Sequence, residues 1–168
     1  MELLDIYDNN GNLTGRQIVR GDKTVKLSKD EHIALSVIFI ENDNNEFLIQ
    51  KTSKEKGGEF SSTGGHVDSG ETPLVSIKRE VKEELGINVD KDNIISYGYL
   101  LYDMPLRYLY YLKKNINISD IKVQKEEVEY VEYMSVDKIN KLIDKGEMLE
   151  SHGILFKTLI KKRNLWKE

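Results

Sequence analysis

Three glutamates and one arginine recur at short intervals near the middle of the chain. Glu80, Glu83 and Glu84 follow directly on Arg79, and a further glutamate, Glu71, precedes them. At about 100° of rotation per residue, the three glutamates share one face of a helix. Clustered carboxylates raise one another's pKa values unless a cation neutralises them, and Mg²⁺ prefers oxygen ligands of this kind. The spacing therefore predicts a helix that binds Mg²⁺, or Mn²⁺ in its place.

A divalent ion at such a helix would serve phosphate chemistry, because Mg²⁺ keeps water ligands and binds substrate phosphates. It would lower the pKa of a bound water and screen the charge of a diphosphate. Arg79 and Glu83 also stand at i and i+4, so a solvated helix face with a salt bridge is the alternative for any single glutamate. The whole spacing favours hydrolysis of a diphosphate linkage by metal-activated water.

The helix that carries these carboxylates has recognisable ends. Thr72 can cap its first turn, Pro73 suits its first position, and Gly86 can end it. Apolar residues recur within it at four-residue spacing: Ile77, Val81 and Leu85. This stripe predicts that one face packs on a sheet while the carboxylates point away from it.

The rest of the chain predicts one α/β domain, residues 1–168, because no linker or repeat interrupts it. An N-terminal extension, residues 1–30, contains a β-hairpin around Asn10-Gly11. Further strands are predicted at 33–40, 47–51, 94–102, 106–112 and 128–136, and helical patterns at 139–143 and 154–160. A glycine-containing loop is predicted to hold Gly57, Gly58, Gly64 and Gly65. Together these elements indicate an α/β sandwich with a mixed sheet.

Residues 65–87, GHVDSGETPLVSIKREVKEELGI, resemble the Nudix box, with glycine, glutamate and arginine at its fixed positions. The resemblance implies a Nudix hydrolase with the α/β/α fold of that family. It implies that Glu80, Glu83 and Glu84 are metal ligands, with the Gly64 carbonyl as another, and that Glu83 acts as a base through bound water. It also implies that Arg79 and Glu71 form a supporting pair that orients the catalytic helix.

Nudix proteins often add a glutamate from a segment after the box. Three glutamates lie there in this chain, Glu126, Glu127 and Glu129. Glu127 fits the family pattern best and is the predicted catalytic residue. A charged strand edge would explain all three equally well.

A second resemblance is to the isopentenyl-diphosphate-isomerase-like branch of the Nudix family. It is carried by the segments DIYDNNGNLTGR, EHIALSVIFI and STGGHV. The isomerases place a catalytic cysteine where this chain has Gly64, and the chain contains no cysteine at all. The box keeps every hydrolytic carboxylate, so hydrolysis is favoured over isomerisation.

Histidines are the remaining candidate metal ligands. His32 and His66 fall where the isomerases have metal-binding histidines, although a polar strand start and a loop position explain them as well. His152 has no such counterpart, and we expect it near a helix cap.

Composition excludes several classes of protein. With 39% hydrophobic and 32% charged residues the chain is typical of a soluble globular protein. It has no apolar stretch long enough to span a membrane, and its lack of cysteine fits a reducing compartment, so we expect a cytoplasmic protein. The net charge of −4 argues against a nucleic acid polymer as partner. The basic run Lys161, Lys162 and Arg163 is predicted to be a solvated helix end.

The substrate class is left open as a small-molecule diphosphate, either a nucleoside diphosphate derivative or a related organic diphosphate. Phe60 and several tyrosines could stack a base, although strand periodicity favours core or sheet-face packing for most: Tyr97, Tyr99, Tyr102, Tyr108, Tyr110 and Tyr111. A noncatalytic nucleotide-binding sensor is the alternative from another class. The hairpin fits both an intramolecular cap and pairing with a second chain, and the resemblance favours a homodimer.

Overall fold

A computed structural model describes residues 2–166 of the chain and the side chains of residues 2–164. Its strands are β1 Leu3–Tyr7, β2 Leu13–Val19, β3 Ala34–Glu41, β4 Glu46–Thr52, β5 Phe60–Ser61, β6 Thr63–His66, β7 Ile95–Leu101, β8 Leu106–Lys113 and β9 Val128–Ser135. Its α-helices are α1 Pro73–Leu85, α2 Val136–Asp144 and α3 Glu150–Trp166. The strands predicted from the sequence are present with ends that differ by at most one residue, whereas α2 and α3 extend beyond the predicted helical patterns by up to six residues.

Seven strands form one mixed sheet. Its main order is β5-β4-β3-β8-β7, with β6 paired to β3 and β9 paired to β4. Strands β3 and β8 run parallel, and the other pairs in this sheet are antiparallel. The central strand β3 therefore has neighbours on both sides and is buried along nearly its whole length.

The two faces of the sheet are covered by different helices. On β3, Ile38 and Ile40 pack with the apolar face of α1, whereas Val37 and Phe39 pack with residues of α2 and α3. This alternation follows from the two-residue period of a strand, which sends successive side chains to opposite faces. The α1 stripe is fully buried, as the four-residue spacing predicts: Ile77, Val81 and Leu85. The predicted α/β/α sandwich with a mixed sheet is confirmed.

The glycine-containing segment before α1 differs from the prediction. Gly57 and Gly58 do lie in a loop with positive φ angles of 111° and 68°, but Gly64 and Gly65 belong to strand β6. Glycine is needed in β6 because a Cβ on Gly64 would lie 2.3 Å from the carbonyl oxygen of Ser36 on β3. The prediction of a loop fails there because glycine is rare in strands unless another group approaches closely.

The N-terminal hairpin forms its own two-stranded sheet, as predicted, and docks on the turn that precedes α1. The amide of Ser69 donates to the Leu3 carbonyl over 2.8 Å. The Asp5 carboxylate accepts from the Ser69 hydroxyl at 2.7 Å and from the Gly70 amide at 3.0 Å. The hairpin therefore caps a turn of its own chain, and the homodimer stays a prediction.

The C-terminal basic run is not a solvated helix end, so that prediction is wrong for two of its three residues. The Arg163 guanidinium lies 3.0 Å from the buried carboxylate of Glu41 and packs over the Phe47 ring. Lys162 donates to the Tyr97 carbonyl over 2.7 Å, and Lys161 alone is exposed. The run was misread because β3 ends in a buried acid that needs a cation. Within residues 2–166, no helix combines the length and apolarity needed to cross a bilayer.

Candidate active site

A cavity of about 300 Å³ lies where α1, β6 and the N-terminal hairpin meet. Twelve residues line it: Glu2, Arg20, Gly64, Gly65, His66, Asp68, Arg79, Glu80, Glu83, Glu84, Gln124 and Glu127. We call it the acidic cavity, because six of the twelve are Asp or Glu. All three glutamates of the α1 cluster face it, as the helical spacing predicts. The predicted Gly64 and Glu127 line it as well, whereas Glu71 acts behind its wall through Arg79.

Glu84 is the most deeply buried acid of the acidic cavity, with 8% of its surface exposed. Its carboxylate accepts hydrogen bonds from the Gln50 side-chain amide at 3.2 Å and from the Gly64 backbone amide at 3.1 Å. Burial raises the pKa of Glu84 to about 8, and repulsion by Glu80 acts in the same direction. Among the described residues no cation forms an ion pair with it. Its ionised form is therefore stabilised by neutral donors alone, and its proton is retained more readily than that of an ordinary glutamate.

Glu80 and Glu83 lie nearer the cavity mouth. Glu80 packs on the backbone of Gly65, where an added Cβ would lie 2.4 Å from a carboxylate oxygen. Burial raises the pKa of Glu80 to about 7, although Arg79 opposes the shift. The Glu83 side chain is half exposed and can exchange partners at little cost.

Arg79 joins α1 to the segment that precedes it. Its Nε and Nη2 atoms donate to both carboxylate oxygens of Glu71, at 2.8 and 2.9 Å. Its Nη1 donates to Glu80 at 2.9 Å and to Glu83 at 3.2 Å, and Nη2 also reaches the His66 carbonyl at 3.1 Å. The hydrogen bond to Arg79 lowers the pKa of Glu71. The pairing of Arg79 with Glu71 expected from the sequence is thus present as a bidentate contact.

The carboxylates of the acidic cavity are held apart from one another by hydrogen bonds, and the metal ligands implied by the family resemblance stay a prediction. Within residues 2–166, no three Asp, Glu or His side chains are arranged closely enough to hold a single metal ion. The reason is visible in their hydrogen bonds, since Arg79 draws Glu80 and Glu83 to itself while Glu84 is bonded to Gln50 and Gly64. The three acids face one cavity without converging on one point.

The donor set nevertheless fits a hard divalent cation. Every acidic group that lines the cavity offers carboxylate oxygens, and burial raises the pKa values of three of them, Asp68, Glu80 and Glu84, which indicates that negative charge there is poorly compensated. The weakest of the present bonds, between Arg79 and the half-exposed Glu83, would be the first to yield to an ion.

Of the candidate residues outside the Nudix box or at its start, some line the acidic cavity and others do not. Of the three glutamates after it, only Glu127 lines the acidic cavity, where its carboxylate lies 3.5 Å from the Lys56 ammonium. His66 also lines the cavity, and burial lowers its pKa to about 4. His32 does not line it: its ring nitrogens contact the Met104 carbonyl and the Asn9 side chain at 2.7 and 2.6 Å. His32 therefore joins the hairpin to the β7–β8 turn. His152 lies in the first turn of α3, near its N-terminal end as expected.

Sequence reasoning missed the contribution of the hairpin. Arg20 and Glu2 line the acidic cavity and form an ion pair of 2.8 Å with each other. They stand far from the box in sequence, and only the docking of the hairpin brings them to the site. Gln50, the neutral donor to Glu84, was also missed because a single glutamine on a strand carries no distinguishing pattern.

The aromatic residues after the box mostly pack in or on the sheet, as strand periodicity favours. Three of the six tyrosines are buried, Tyr97, Tyr110 and Tyr111. Tyr99 and Tyr108 pack against each other with ring centroids 5.3 Å apart. None of the six, and not Phe60, lines the acidic cavity.

The chain combines an α/β/α sandwich with a glutamate-bearing helix that borders a polar cavity. Comparisons with other proteins identify a hydrolase family with this architecture. Residues 30–152 match the NUDIX domain family. The chain is 30% identical over 154 residues to an uncharacterized Nudix hydrolase of Listeria innocua, with 89% of each chain covered. It is 31% identical over 155 residues to an uncharacterized Nudix hydrolase of Listeria monocytogenes, again with 89% of each covered.

A crystal structure of DR0079 from Deinococcus radiodurans has the same fold, with a TM-score of 0.77 and 19% identity over 93% of this chain and 98% of that one. The chain therefore belongs to the Nudix hydrolase family. Nudix hydrolases generally use divalent metal ions, which agrees with the donor chemistry of the acidic cavity.

Proposed function

We propose that this protein is a Mg²⁺-dependent hydrolase that cleaves the diphosphate linkage of a nucleoside diphosphate derivative or a related organic diphosphate. The observation that supports this most is the burial of Glu80 and Glu84 in one cavity without enough positive charge to neutralise them. Such an arrangement destabilises the protein unless a cation binds, and a stable fold alone gives no reason for it. Mn²⁺ has the same ligand preference and is expected to substitute.

Glu80, Glu83 and Glu84 would hold the ion. The Gly64 carbonyl is a further candidate, because in an extended residue the N–H and C=O groups point to the same edge of the strand and the Gly64 N–H points to Glu84. When bound, the ion would lower the pKa of a water and screen the charge of the diphosphate.

The chain's own groups have separate tasks in this proposal. Glu83 is half exposed beside the cavity and would accept the proton of the attacking water on a carboxylate oxygen. Water adds to phosphorus, the bridging P–O bond breaks, and the products are two phosphates. Glu127, which also lines the cavity, would assist in catalysis. Arg79 and Glu71 are positioning residues, since Arg79 donates to the proposed ligands Glu80 and Glu83 and Glu71 holds Arg79 in place.

Isomerisation of isopentenyl diphosphate is disfavoured by the packing of β6. The isomerases place their cysteine at the position of Gly64, and here no side chain fits because a Cβ would lie 2.3 Å from the Ser36 carbonyl. A noncatalytic sensor is disfavoured by the retention of every carboxylate of the cluster.

The test is a panel of nucleoside triphosphates, nucleotide sugars, dinucleoside polyphosphates and isoprenyl diphosphates, assayed with Mg²⁺, Mn²⁺ and chelator. We expect metal-dependent release of a phosphate product, and its loss in Glu83→Gln. Glu129→Gln is the matched control, since Glu129 lies on β9 outside the cavity. Tight binding of an intact nucleotide without turnover would instead establish the sensor, and interconversion without cleavage would establish the isomerase.

Location and assembly follow the same proposal. The absence of cysteine fits a protein of the reducing cytoplasm. A small-molecule substrate agrees with a cavity of about 300 Å³, which is too small for a polymer. Sedimentation analysis would test the homodimer that the family resemblance favours.

A further inference from the structure

A second cavity of about 230 Å³ adjoins the acidic cavity on the side of α3. The two share Glu84 and Glu127, so a ligand whose diphosphate lies at the carboxylates can extend into the second cavity. We call the second cavity the side pocket. Part of its lining is apolar and consists of Leu35, Val37 and Leu149. Another part carries the nitrogen-bearing side chains of Arg107 and His152.

Arg107 enters the side pocket from β8 without a carboxylate partner. Its Nε donates to the Tyr102 carbonyl over 3.2 Å, and its guanidinium carbon lies 5.4 Å from the centre of the Tyr102 ring. The Tyr102 hydroxyl donates in turn to Glu150 at 2.6 Å. Among the described residues, no acid lies within ion-pair distance of Arg107 and no acceptor takes its Nη hydrogens.

A half-buried arginine without an ion-pair partner is unfavourable, because part of its hydration is lost and the more distant charge of Asp103 offsets that loss only in part. Burial accordingly lowers the pKa of Arg107. The Tyr102 contacts fix the guanidinium in place, so its two terminal nitrogens are preorganised to donate to a ligand. Arg107 thus has the opposite charge to Glu84 but the same lack of an ion-pair partner, and Glu84 lies in the wall that the two cavities share.

His152 provides a second donor from a different element. Its Nδ1 accepts a hydrogen bond from the Ser62 backbone amide over 3.0 Å. Because a backbone amide can only donate, Nδ1 carries no proton and the proton of the neutral ring is on Nε2. Burial and the charge of Arg107 lower the pKa of His152 to about 4, so the ring is neutral at neutral pH. Nε2–H has no acceptor among residues 2–166.

We propose that the side pocket binds the organic moiety attached to the diphosphate, and that Arg107 and His152 select it through acceptor oxygens. The apolar walls of Leu35, Val37 and Leu149 favour a flat ring, so the group that fits best is the carbonyl edge of a nucleobase. This inference rests on the proposed function and names the part of the substrate that the box does not determine. A terminal phosphate beyond the scissile linkage is the other source of such oxygens.

The experiment compares kcat and KM of wild type, Arg107→Gln, Arg107→Lys and His152→Asn. Asn at position 152 retains an acceptor near Ser62 but removes the Nε2 donor, so it separates recognition from folding. Arg16→Gln is the matched control, since Arg16 is exposed, pairs with Glu31 and lines neither cavity. The substrates are the turned-over nucleotide, its analogues with other bases, its forms with two and three phosphates, and base-free phosphoribosyl diphosphate.

We expect KM for the preferred nucleotide to rise about tenfold or more in Arg107→Gln, as for the loss of a charge-assisted hydrogen bond, with kcat changed less than about threefold. Lysine at 107 should restore affinity only in part. If the loss disappears with phosphoribosyl diphosphate, the group is a base. If it depends on the number of phosphates and not on the base, the group is a terminal phosphate.

An equal loss for every substrate, or a loss matched by Arg16→Gln, would overturn the inference, because a general structural effect would then explain it. Binding of a nonhydrolysable α,β-methylene nucleoside diphosphate, measured by calorimetry, keeps the two proposals apart. Binding that depends on Arg107 without any turnover by wild type would refute the hydrolase and support the side pocket. Turnover that none of the variants alters would support the hydrolase and refute the role of the side pocket.

Discussion

Two buried glutamates on the same scaffold have opposite surroundings. Glu41, at the end of β3, accepts hydrogen bonds from the Tyr111 hydroxyl at 2.5 Å and from Arg163 at 3.0 Å. Glu84, at the end of α1, accepts only from the neutral amides of Gln50 and Gly64. The protein thus neutralises one acid with an arginine of its own, whereas among the described residues the other has no cationic partner, as a site for a bound metal ion would require.

The difference distinguishes an acid that joins two parts of the fold, Glu41, from an acid that faces a cavity, Glu84. Glu41 and Arg163 join the central sheet to the last helix, and the aromatic rings of Phe47 and Tyr111 cover the guanidinium. Nothing comparable covers Glu84, which faces two cavities. Burial without a counter-ion is therefore a better guide to the active site than burial of charge as such.

The largest effect that follows from this contrast is expected from Glu84→Gln. Loss of a proposed metal ligand should reduce turnover by about a thousandfold or more, which corresponds to roughly 4 kcal/mol of transition-state stabilisation. The same change removes a carboxyl whose ionisation is penalised by burial, so the free energy of unfolding in chelator should stay equal or rise. Steady-state assays and urea denaturation measure the two quantities. A marked fall in stability would mean that Glu84 has a structural role like that of Glu41.

Glu41→Gln should show the opposite pattern. It leaves the Arg163 guanidinium buried without its partner, which is expected to lower the free energy of unfolding by about 3 kcal/mol. Turnover per folded molecule should stay within about twofold of wild type, since Glu41 lines neither cavity. Arg163→Met with Glu41→Gln tests the pairing, because the double variant should lose less stability than the sum of the single changes. Additive losses would contradict the pair.

Arg79→Lys is expected to have an intermediate effect on activity. Lysine keeps the charge but cannot make the bidentate contact with Glu71 while also reaching Glu80. We expect kcat to fall about 10- to 100-fold, the usual cost of disturbing groups that orient metal ligands. Metal affinity measured by calorimetry should fall with it. An unchanged kcat would show that Arg79 serves only to neutralise the cluster.

The smallest effect concerns His152, which lines the side pocket together with Glu84. If its ring were charged at neutral pH, Glu84 would have a cation nearby and the contrast would weaken. Because burial lowers the pKa of His152 from its ordinary value of about 6.5 to about 4, His152 takes up a proton more readily in the unfolded chain. The contribution of His152 to stability should therefore fall as pH falls through this range, by about 2 kcal/mol between pH 7 and pH 5.

The difference in unfolding free energy between pH 7 and pH 5 should be smaller in His152→Asn than in wild type. Proton NMR titration of the His152 ring is the direct check. A measured pKa at or above the ordinary value would contradict the neutral ring that the Ser62 contact implies.

The sequence predicted the fold and the box closely because both are carried by local patterns. The caps at Thr72 and Gly86 and the buried stripe of α1 follow from helical spacing, and the Arg79–Glu71 pair follows from the family resemblance. What it missed depends on contacts between distant segments. The partner of Arg163 lies 122 residues away, and Arg20 reaches the cavity only because the hairpin docks on the turn before α1.

The place of Glu2 on the cavity wall has a practical consequence for purification. A polyhistidine tag fused ahead of the hairpin would start at the rim of the proposed metal site. Its imidazoles bind divalent metals themselves and would compete for the added ion or donate to it. Activity and metal titrations should therefore be carried out with a tag at the other terminus, or after the tag has been removed.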